Sequence, residues 1–322
     1  MESSASARNR DGAGGSRISA PALMGIRNLE LRARAVVEGF RSGLHRSPYH
    51  GFSVEFTEYR QYSPGDDLRH LDWRVYARSD RYFLKKFEDE TNLRCHFVVD
   101  QSRSMDFGTV GYTKASYAAT MAATLAYFLH LQGDAVGLLS FDERVREFLP
   151  ARHRPGQLRH LMLALEKPAG GTATDLAAPL KRLVEIVRKR GVLVLISDFL
   201  APIDRLENSL AQLTASGHEV LAFRVLDPSE LQFEFQEPAL FEDVESDRTQ
   251  FIDPGAARAE YRRRFEAHGD QLKSVCRKLG VGYHPVRTDE PLERVLLEFL
   301  QERGRRRQPL RRRESGSRGG GA

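Results

Sequence analysis

The residue types best suited to chemistry in this chain are carboxylates and hydroxyls that follow short apolar runs. Asp100 opens the sequence Asp-Gln-Ser-Arg-Ser after one run, and Asp198 follows a second run after a single serine. In a loop that leaves a strand, the alternate spacing of Asp100, Ser102 and Ser104 lets their oxygens turn inward together. Such oxygens are hard ligands that suit Mg²⁺ or Mn²⁺ and suit Zn²⁺ poorly. Because Asp100 and Asp198 together carry two negative charges, one divalent ion would neutralise the pair.

A third loop supplies further oxygen donors in the sequence Gly-Gly-Thr-Ala-Thr-Asp at 170–175. The glycine pair before Thr172 allows a close approach of the backbone, and Thr174 is the alternative threonine. Ligands of open α/β sheets bind outside the carboxyl ends of the strands, where the strand order reverses, so the three loops are expected to converge. Structural roles stay open as alternatives: hydrogen bonding for Asp100, and a helix cap for Asp198 and for Thr172.

The elements that must position these loops are visible from about residue 93 onward. Short apolar runs alternate there with stretches of helical period, which is typical of a largely parallel sheet with crossover helices. The apolar runs lie at 95–99, 135–139, 192–196, 219–226 and 281–286. A further run at 145–149, after a tight turn, predicts an edge strand paired back on its neighbour. Apolar stripes predict helices around 115–131, 158–165, 176–187, 261–279 and 292–300, and a strand-rich excursion is expected around 231–252.

Composition divides the chain into four segments. Residues 1–20 and 303–322 are dense in Gly, Ser and Arg and are predicted to be disordered tails. Residues 21–92 are predicted to form a small N-terminal subdomain packed on the main domain, which covers 93–302. Charged residues around Trp73 are interpreted as a structural polar network, and they are Asp66, Asp67, Arg69, Asp72 and Arg78. The spacing of His45, His50 and His70 fits no metal-ligand motif of a helix or ribbon.

Charge and composition exclude several classes of protein. The formal net charge of +5 in 322 residues resides in the C-terminal segment 301–322, which carries eight Arg against two Glu, so the body is near neutral. A basic tail on such a body does not indicate a folded surface that binds nucleic acid. Two cysteines without a CxxC pattern exclude a disulfide scaffold and a zinc ribbon. No apolar run is long enough to cross a bilayer, and the N-terminus lacks a signal peptide, so a cytoplasmic protein is expected.

The oxygen-rich loops resemble the metal-ion-dependent adhesion site of von Willebrand factor A domains. That site has the pattern Asp-x-Ser-x-Ser, then a Thr, then an Asp, and all of these elements are present here in order. The resemblance implies that Asp100, Ser102 and Ser104 of the first loop, Thr172 of the second and Asp198 of the third hold Mg²⁺ or Mn²⁺. In that family the ion coordinates an acidic residue of a partner protein.

The resemblance extends upstream of these loops. The runs YRQYSPGDDLRHLDWRVYAR and FLKKFEDE are similar to the signature of a bacterial von Willebrand factor A-like family, domain-of-unknown-function family fifty-eight, over roughly 25–300. It implies an α/β fold with a doubly wound, mostly parallel sheet, one antiparallel edge strand and a small N-terminal subdomain. Its members are commonly encoded beside MoxR-type AAA+ ATPases and are thought to act with them as adaptors in protein assembly or activation. Many relatives carry N-terminal membrane helices, which this chain lacks.

The function expected from these residues is therefore binding without catalysis, with an AAA+ ATPase or a client protein that exposes an Asp or Glu as the partner. Two alternatives remain. A metal-dependent phosphohydrolase could use the same cleft, but haloacid dehalogenase-type phosphatases need Asp-x-Asp, and the second position here is Ser102. Nucleic acid could bind through the C-terminal Arg tail, in which case binding would be sensitive to salt. The GxSxG, HExxH and GxxxxGK[ST] motifs do not occur.

Overall fold

A six-stranded sheet forms the centre of the fold. The computed structural model describes residues 19–44, 58–61, 83–86, 93–168, 176–233, 239–242, 249–252 and 254–307. The strands, in chain order, are β1 (Glu58–Gln61), β2 (Phe83–Lys86), β3 (Arg94–Asp100), β4 (Ala135–Phe141), β5 (Val145–Arg152), β6 (Val192–Ser197), β7 (Glu219–Leu226), β8 (Ala239–Glu242), β9 (Thr249–Ile252) and β10 (Gly282–Arg287).

Helices connect and cover these strands. In chain order they are α1 (Ala20–Met24), α2 (Leu29–Leu44), α3 (Lys114–Leu131), α4 (Gln157–Leu165), α5 (Ala177–Ile186), α6 (Ile203–Ala215), α7 (Pro228–Gln232), α8 (Pro254–Leu279) and α9 (Leu292–Arg307). A 3₁₀ turn covers Arg103–Asp106. Helix α9 continues past residue 302, where the sequence placed the end of the main domain.

The strand order of the large sheet is β10-β7-β6-β3-β4-β5. All neighbours are parallel except β5, which runs antiparallel to β4 at one edge. The predicted α/β class, with a mostly parallel sheet and one antiparallel edge strand, is therefore confirmed. Successive strands lead outward from β3 on one side and from β6 on the other. The strand order thus reverses between β3 and β6, where ligands of such sheets bind.

Two separate cores lie on the two faces of the sheet. Along β3, Phe97 and Val99 point into one core and Val98 points into the other, as the two-residue period of a strand requires. The first core includes side chains of α2, α3, α4 and α9. The second includes side chains of α5, α6 and α8. Helices therefore cover both faces, which confirms the doubly wound arrangement.

Helix α3 is buried along most of its length, as its apolar composition predicted. Its two central threonines donate to backbone carbonyls within the helix, Thr120 Oγ1 to Ser116 O and Thr124 Oγ1 to Thr120 O, both at 2.8 Å, and Thr120 Oγ1 also accepts a hydrogen bond from Arg32 Nη1 of α2 at 2.9 Å. Helix α2, from the predicted N-terminal subdomain, packs its buried residues Ala33 and Val36 into the same core as α3. Among the described helices, none combines the length and the apolar content that a membrane crossing requires.

Several sequence-based interpretations fall outside the described residues. These are the polar network around Trp73, the histidines at 45, 50 and 70, and residues 1–18 and 308–322 of the predicted tails. The prediction of a disordered tail from residue 303 is wrong for 303–307, which continue helix α9 with Arg303 buried. The strand-rich excursion is present as the antiparallel pair β8 and β9. Cys95 and Cys276 are buried free thiols, as the low cysteine count and the absence of a CxxC pattern indicated.

The edge strand lies unusually close to β4 at one glycine. A Cβ atom added to Gly137 would lie 2.6 Å from both Ala151 N and Leu149 O. The pairing of β4 with β5 shifts register between Val136 and Leu138, so an irregular backbone passes over this point. Only glycine allows that approach, which bends the edge strand and makes it a poor template for further strand pairing.

The buried His96 of β3 is expected to make stability depend on pH. Its Nε2 accepts a hydrogen bond from Ala151 N at 3.3 Å, so the ring must be neutral, and burial lowers its pKa to about 4. Because the unfolded chain takes up this proton first, the contribution of His96 to stability is complete above about pH 6.5 and is lost as the pH falls toward about 4, by about 3 kcal/mol. Urea unfolding of the wild type and His96→Gln at the two ends of this range would measure it. The stability difference between the two proteins should change by about 3 kcal/mol between the two pH values, and a difference that does not change with pH would contradict the assignment.

Candidate metal centre

The first loop of the site begins at the buried carboxyl end of β3. Asp100 is the last residue of the strand and is fully buried. Its Oδ1 accepts a hydrogen bond from Ser102 N at 2.9 Å, and its Oδ2 accepts one from Ser197 Oγ at 2.6 Å. The carboxylate therefore links the loop after β3 to the end of β6, the two strands between which the strand order reverses.

The two serines of the Asp-x-Ser-x-Ser sequence lie together beside this carboxylate. Ser102 is fully buried and Ser104 is nearly so, and their Oγ atoms are 3.2 Å apart. Ser102 precedes the 3₁₀ turn as its N-cap, and the turn brings both hydroxyls together while Arg103 is exposed. The structure thus brings Asp100, Ser102 and Ser104 together, as the alternate spacing predicted.

The third loop presents Asp198 in a strained turn directly after β6. Asp198 is fully buried, and its Oδ1 accepts a hydrogen bond from Leu200 N at 3.2 Å. Between them, Phe199 has a φ of 54°, which is costly for a residue with a bulky side chain. Phe199 N donates to Ser197 Oγ at 2.9 Å, so the hydroxyl that donates to Asp100 also holds this turn.

The helix-cap alternative for Asp198 is wrong. The N-cap of α6 is Pro202, and no side-chain hydrogen bond caps that helix. Thr172 and the whole loop 169–175 lie outside the described residues, so the threonine of the predicted site stays a prediction.

Two ionic residues at the site were missed by the sequence reasoning. Lys114, the first residue of α3, is fully buried. Its Nζ lies 2.8 Å from Asp198 Oδ2 and 2.6 Å from Glu230 Oε1. Burial alone would lower the pKa of Lys114, but the two carboxylates outweigh it and raise that pKa, so the ammonium stays charged. One signal could have pointed to Lys114: it is the first residue of an apolar helix, where the helix dipole disfavours a cation, so a nearby negative partner was to be expected.

A second network holds the loop between β3 and α3 against the loop after β7. Asp227 is fully buried and accepts hydrogen bonds from Thr109 N at 2.9 Å and Thr109 Oγ1 at 2.5 Å. It also caps α7, with Glu230 Oε2 accepting from Asp227 N at 2.8 Å in a capping box. Because Glu230 also binds Lys114, this network continues into the site.

Gly108 shows how closely this loop folds back on itself. A Cβ atom added there would lie 2.0 Å from Tyr112 O, so no other residue fits without a shift of the backbone. Lys114 N closes the loop by donating to Phe107 O at 2.8 Å. The result is a tight loop that fixes the start of α3, and with it the position of Lys114.

The electrostatics of the site are uneven. Asp198 has an ammonium partner, whereas Asp100 forms no ion pair with a basic side chain in the described part of the chain. Burial, and then the charge of Asp198, raise the pKa of Asp100 to about 7. A fully buried carboxylate without a cation is costly and is usually paired or bound to a metal in proteins.

These residues fit a hard divalent cation. Within the described ranges, no three His, Cys, Asp or Glu side chains are placed to hold a metal. Any ion here would depend on the serine hydroxyls together with the carboxylates. The oxygens of Asp100, Ser102 and Ser104 are of the type that Mg²⁺ and Mn²⁺ prefer, and Asp100 has charge to be neutralised. Both oxygens of Asp198 are already engaged, by Lys114 and by Leu200 N.

Comparison with known proteins identifies relatives by sequence. A family model described as "Protein of unknown function DUF58" matches residues 58–273. An uncharacterized protein of Mycobacterium bovis, Mb1516, is 33% identical over 286 residues, which is 87% of this chain and 89% of that protein. The uncharacterized protein Rv1480 of Mycobacterium tuberculosis matches with the same values.

Two solved bacterial structures also resemble this chain. One is an aerotolerance-related membrane protein from Bacteroides fragilis, with 14% identity and a TM-score of 0.46. The other is the conserved hypothetical protein BatB from Bacteroides thetaiotaomicron, with 12% identity and a TM-score of 0.44. Each match covers 66% of this chain and 99% of the other.

Proposed function

We propose, from the premise that this chain belongs to the DUF58 family, that it is a metal-dependent adaptor that binds an acidic residue of a partner protein. The partner that we propose is a MoxR-type AAA+ ATPase, or a client protein handled with it. This partner follows from the resemblance described above. We propose no catalytic step for this chain.

One observation carries the proposal. The fully buried Asp100 carboxylate has hydrogen-bond donors around it and no basic side chain paired with it among the described residues. It lies beside two buried serine hydroxyls at the reversal of strand order, where α/β sheets bind ligands. A divalent cation would supply the missing positive charge and an open coordination position for an external carboxylate.

The chain's own residues have distinct parts in this proposal. Asp100, Ser102 and Ser104 hold the cation, and Ser197 orients the Asp100 carboxylate through the 2.6 Å hydrogen bond. Asp198 adds negative charge while Lys114 and Leu200 N fix its orientation. Thr172 is proposed as a further ligand from the resemblance.

The loops of the site also carry exposed apolar side chains. Phe107 is 38% exposed and follows the 3₁₀ turn, and Leu200 is 39% exposed two residues after Asp198. The Phe107 ring centroid lies 6.0 Å from Lys114 Nζ, so it borders the same charged cluster. A protein bound at this site would bury both apolar side chains, and this burial would contribute to its affinity.

Removal of these two apolar side chains is expected to weaken partner binding about 30-fold, because each loses about 1 kcal/mol of apolar contact. The measurement is capture of the purified MoxR-type ATPase of the same genome by Phe107→Ser/Leu200→Ser, with Mg²⁺ and with a chelator. Leu163→Ser is the matched control, since Leu163 is 53% exposed on α4, a helix that supplies none of the site residues.

The proposal predicts capture by the wild type with Mg²⁺ and loss of capture with the chelator. Capture that is insensitive to the chelator would contradict the metal-dependent mechanism. Turnover of a generic phosphoester by the chain with Mg²⁺ alone would favour the phosphohydrolase alternative instead.

A further inference from the structure

Lys114 occupies a position that the proposed binding mode does not require. It is a fully buried ammonium between two carboxylates, 2.8 Å from Asp198 Oδ2 and 2.6 Å from Glu230 Oε1. Asp100 accepts a hydrogen bond from Ser197, the residue before Asp198, so a cation at the Asp100 site would lie near a carboxylate that a resident positive charge already pairs with. Two cations close together in a buried site repel each other strongly, because solvent screens them little.

We propose that Lys114 tunes the metal site by weakening the binding of a lone divalent cation, so that stable retention of the cation depends on the partner's carboxylate. This inference rests on the proposed function of the Asp100 site. Asp100, Asp198, Glu230 and Lys114 have a formal net charge of −2 when all are ionised. One divalent cation brings the cluster to neutrality, and an incoming carboxylate lies in the field of both the metal and the ammonium.

The position of Lys114 is fixed rigidly enough for this effect. Its backbone N donates to Phe107 O at 2.8 Å, and Glu230 is held by its hydrogen bond from Asp227 N. Arg224 Nε donates to the carbonyl oxygen of Asp198 at 3.1 Å, which fixes the backbone on the other side. The ammonium therefore has little freedom to move away when a second cation arrives. Lys114 is a positioning residue and not a metal ligand, because it affects the cation only through its ion pair with Asp198 and its charge.

The test is calorimetric titration with Mg²⁺ and Mn²⁺, with and without acetate as a stand-in for the partner's carboxylate. For the wild type, acetate is expected to tighten cation binding. Lys114→Met is expected to bind the cation about tenfold more tightly without acetate and to lose most of the acetate effect. A purely structural role for Lys114 would give equal or weaker cation binding in the variant. The matched control is Lys167→Met, since Lys167 is an exposed lysine paired with Glu147.

A second variant keeps the test valid if Lys114→Met is unstable, because that change leaves two buried carboxylates without their partner. Lys114→Met/Glu230→Gln removes one of these charges and restores the formal charge of −2. It is also expected to bind cations more tightly than the wild type. Equal or weaker binding in this variant would overturn the inference.

Failure of the inference differs from failure of the proposed function. Only the inference is wrong if three results are found together: the wild type binds the cation, Asp100→Ala abolishes that binding, and the Lys114 variants bind the cation no more tightly than the wild type. If neither the wild type nor any Lys114 variant binds Mg²⁺ or Mn²⁺, with or without acetate, the metal site itself is wrong.

Discussion

Asp100→Ala is expected to abolish the binding of Mg²⁺ and Mn²⁺ while the protein stays folded. The cation affinity should fall more than about 100-fold, because the loss of an outer-shell partner alone costs about 10- to 100-fold. Asp100 is the carboxylate that lacks a basic partner among the described residues, so no other group there replaces its charge. Calorimetric titration measures the effect, and chelator-sensitive capture of the partner should be lost in parallel.

The matched control for this prediction is Asp134→Ala. Asp134 is also a buried carboxylate, but it precedes β4 and accepts a hydrogen bond from Leu93 N at the opposite end of the strands. Its loss should reduce stability and leave cation binding unchanged. Equal binding by Asp100→Ala and the wild type would refute the proposed site.

The same carboxylate gives this prediction a second readout in the stability of the cation-free protein. The pKa of Asp100 is raised to about 7 from its ordinary 3.8. The folded state therefore holds this proton more tightly than the unfolded chain. The contribution of Asp100 to stability falls as the pH rises from about 4 to about 7, by up to about 4 kcal/mol, and it opposes the contribution of His96 over this range. In Asp100→Asn, which retains an acceptor oxygen, this loss should be absent. The stabilisation by Mg²⁺ should be larger above pH 7 than near pH 5.

The second large effect is expected from Asp227→Ala. This fully buried side chain accepts hydrogen bonds from the backbone and hydroxyl of Thr109 and of Ser229. Its removal leaves these donors without their acceptor and deprives α7 of its cap, at a cost of about 3–5 kcal/mol in the free energy of unfolding. Because Glu230 and Lys114 belong to the same network, cation affinity should also change.

Chemical denaturation measures this loss, and Asp142→Ala is the control. Asp142 accepts a hydrogen bond from Arg144 N within a turn and pairs with the partly exposed Arg146. Its removal should cost about 1 kcal/mol, as expected for a local turn. A loss of similar size in the two variants would show that the link between the loops contributes little.

Much of the fold was predictable because hydrophobic period and strand length are local properties. The run at 219–226 coincides with β7, and the predicted edge strand begins at Val145 as expected. The helix boundaries were less predictable. Helix α8 begins at Pro254, earlier than the first apolar stripe residue at Tyr261, because residues 254–260 are mostly Pro, Gly and Ala and carry no period of large apolar side chains.

The candidate site was predictable only in part. The spacing of Asp100, Ser102 and Ser104 is a local pattern, and its place after a strand is enough to predict that the three oxygens meet. Lys114 and Glu230 are separated by 116 residues in sequence, and only the tertiary packing of α3 against the loop after β7 brings them together. No local period encodes such a contact, so an ion pair of this kind cannot be deduced from one sequence.

The central place of β3 in the sheet bears on the order of folding. The segment β3-β4-β5 is contiguous in the chain and can pair locally, whereas the pairing of Cys95 with Val192 joins distant parts of the sequence. Such long-range parallel pairing pays its loop-closure entropy late and slows folding. Asp100 belongs to the early segment and Asp198 to the later one. We therefore expect the two carboxylates to meet late in folding, so that a bound cation would stabilise the finished fold without assisting its nucleation.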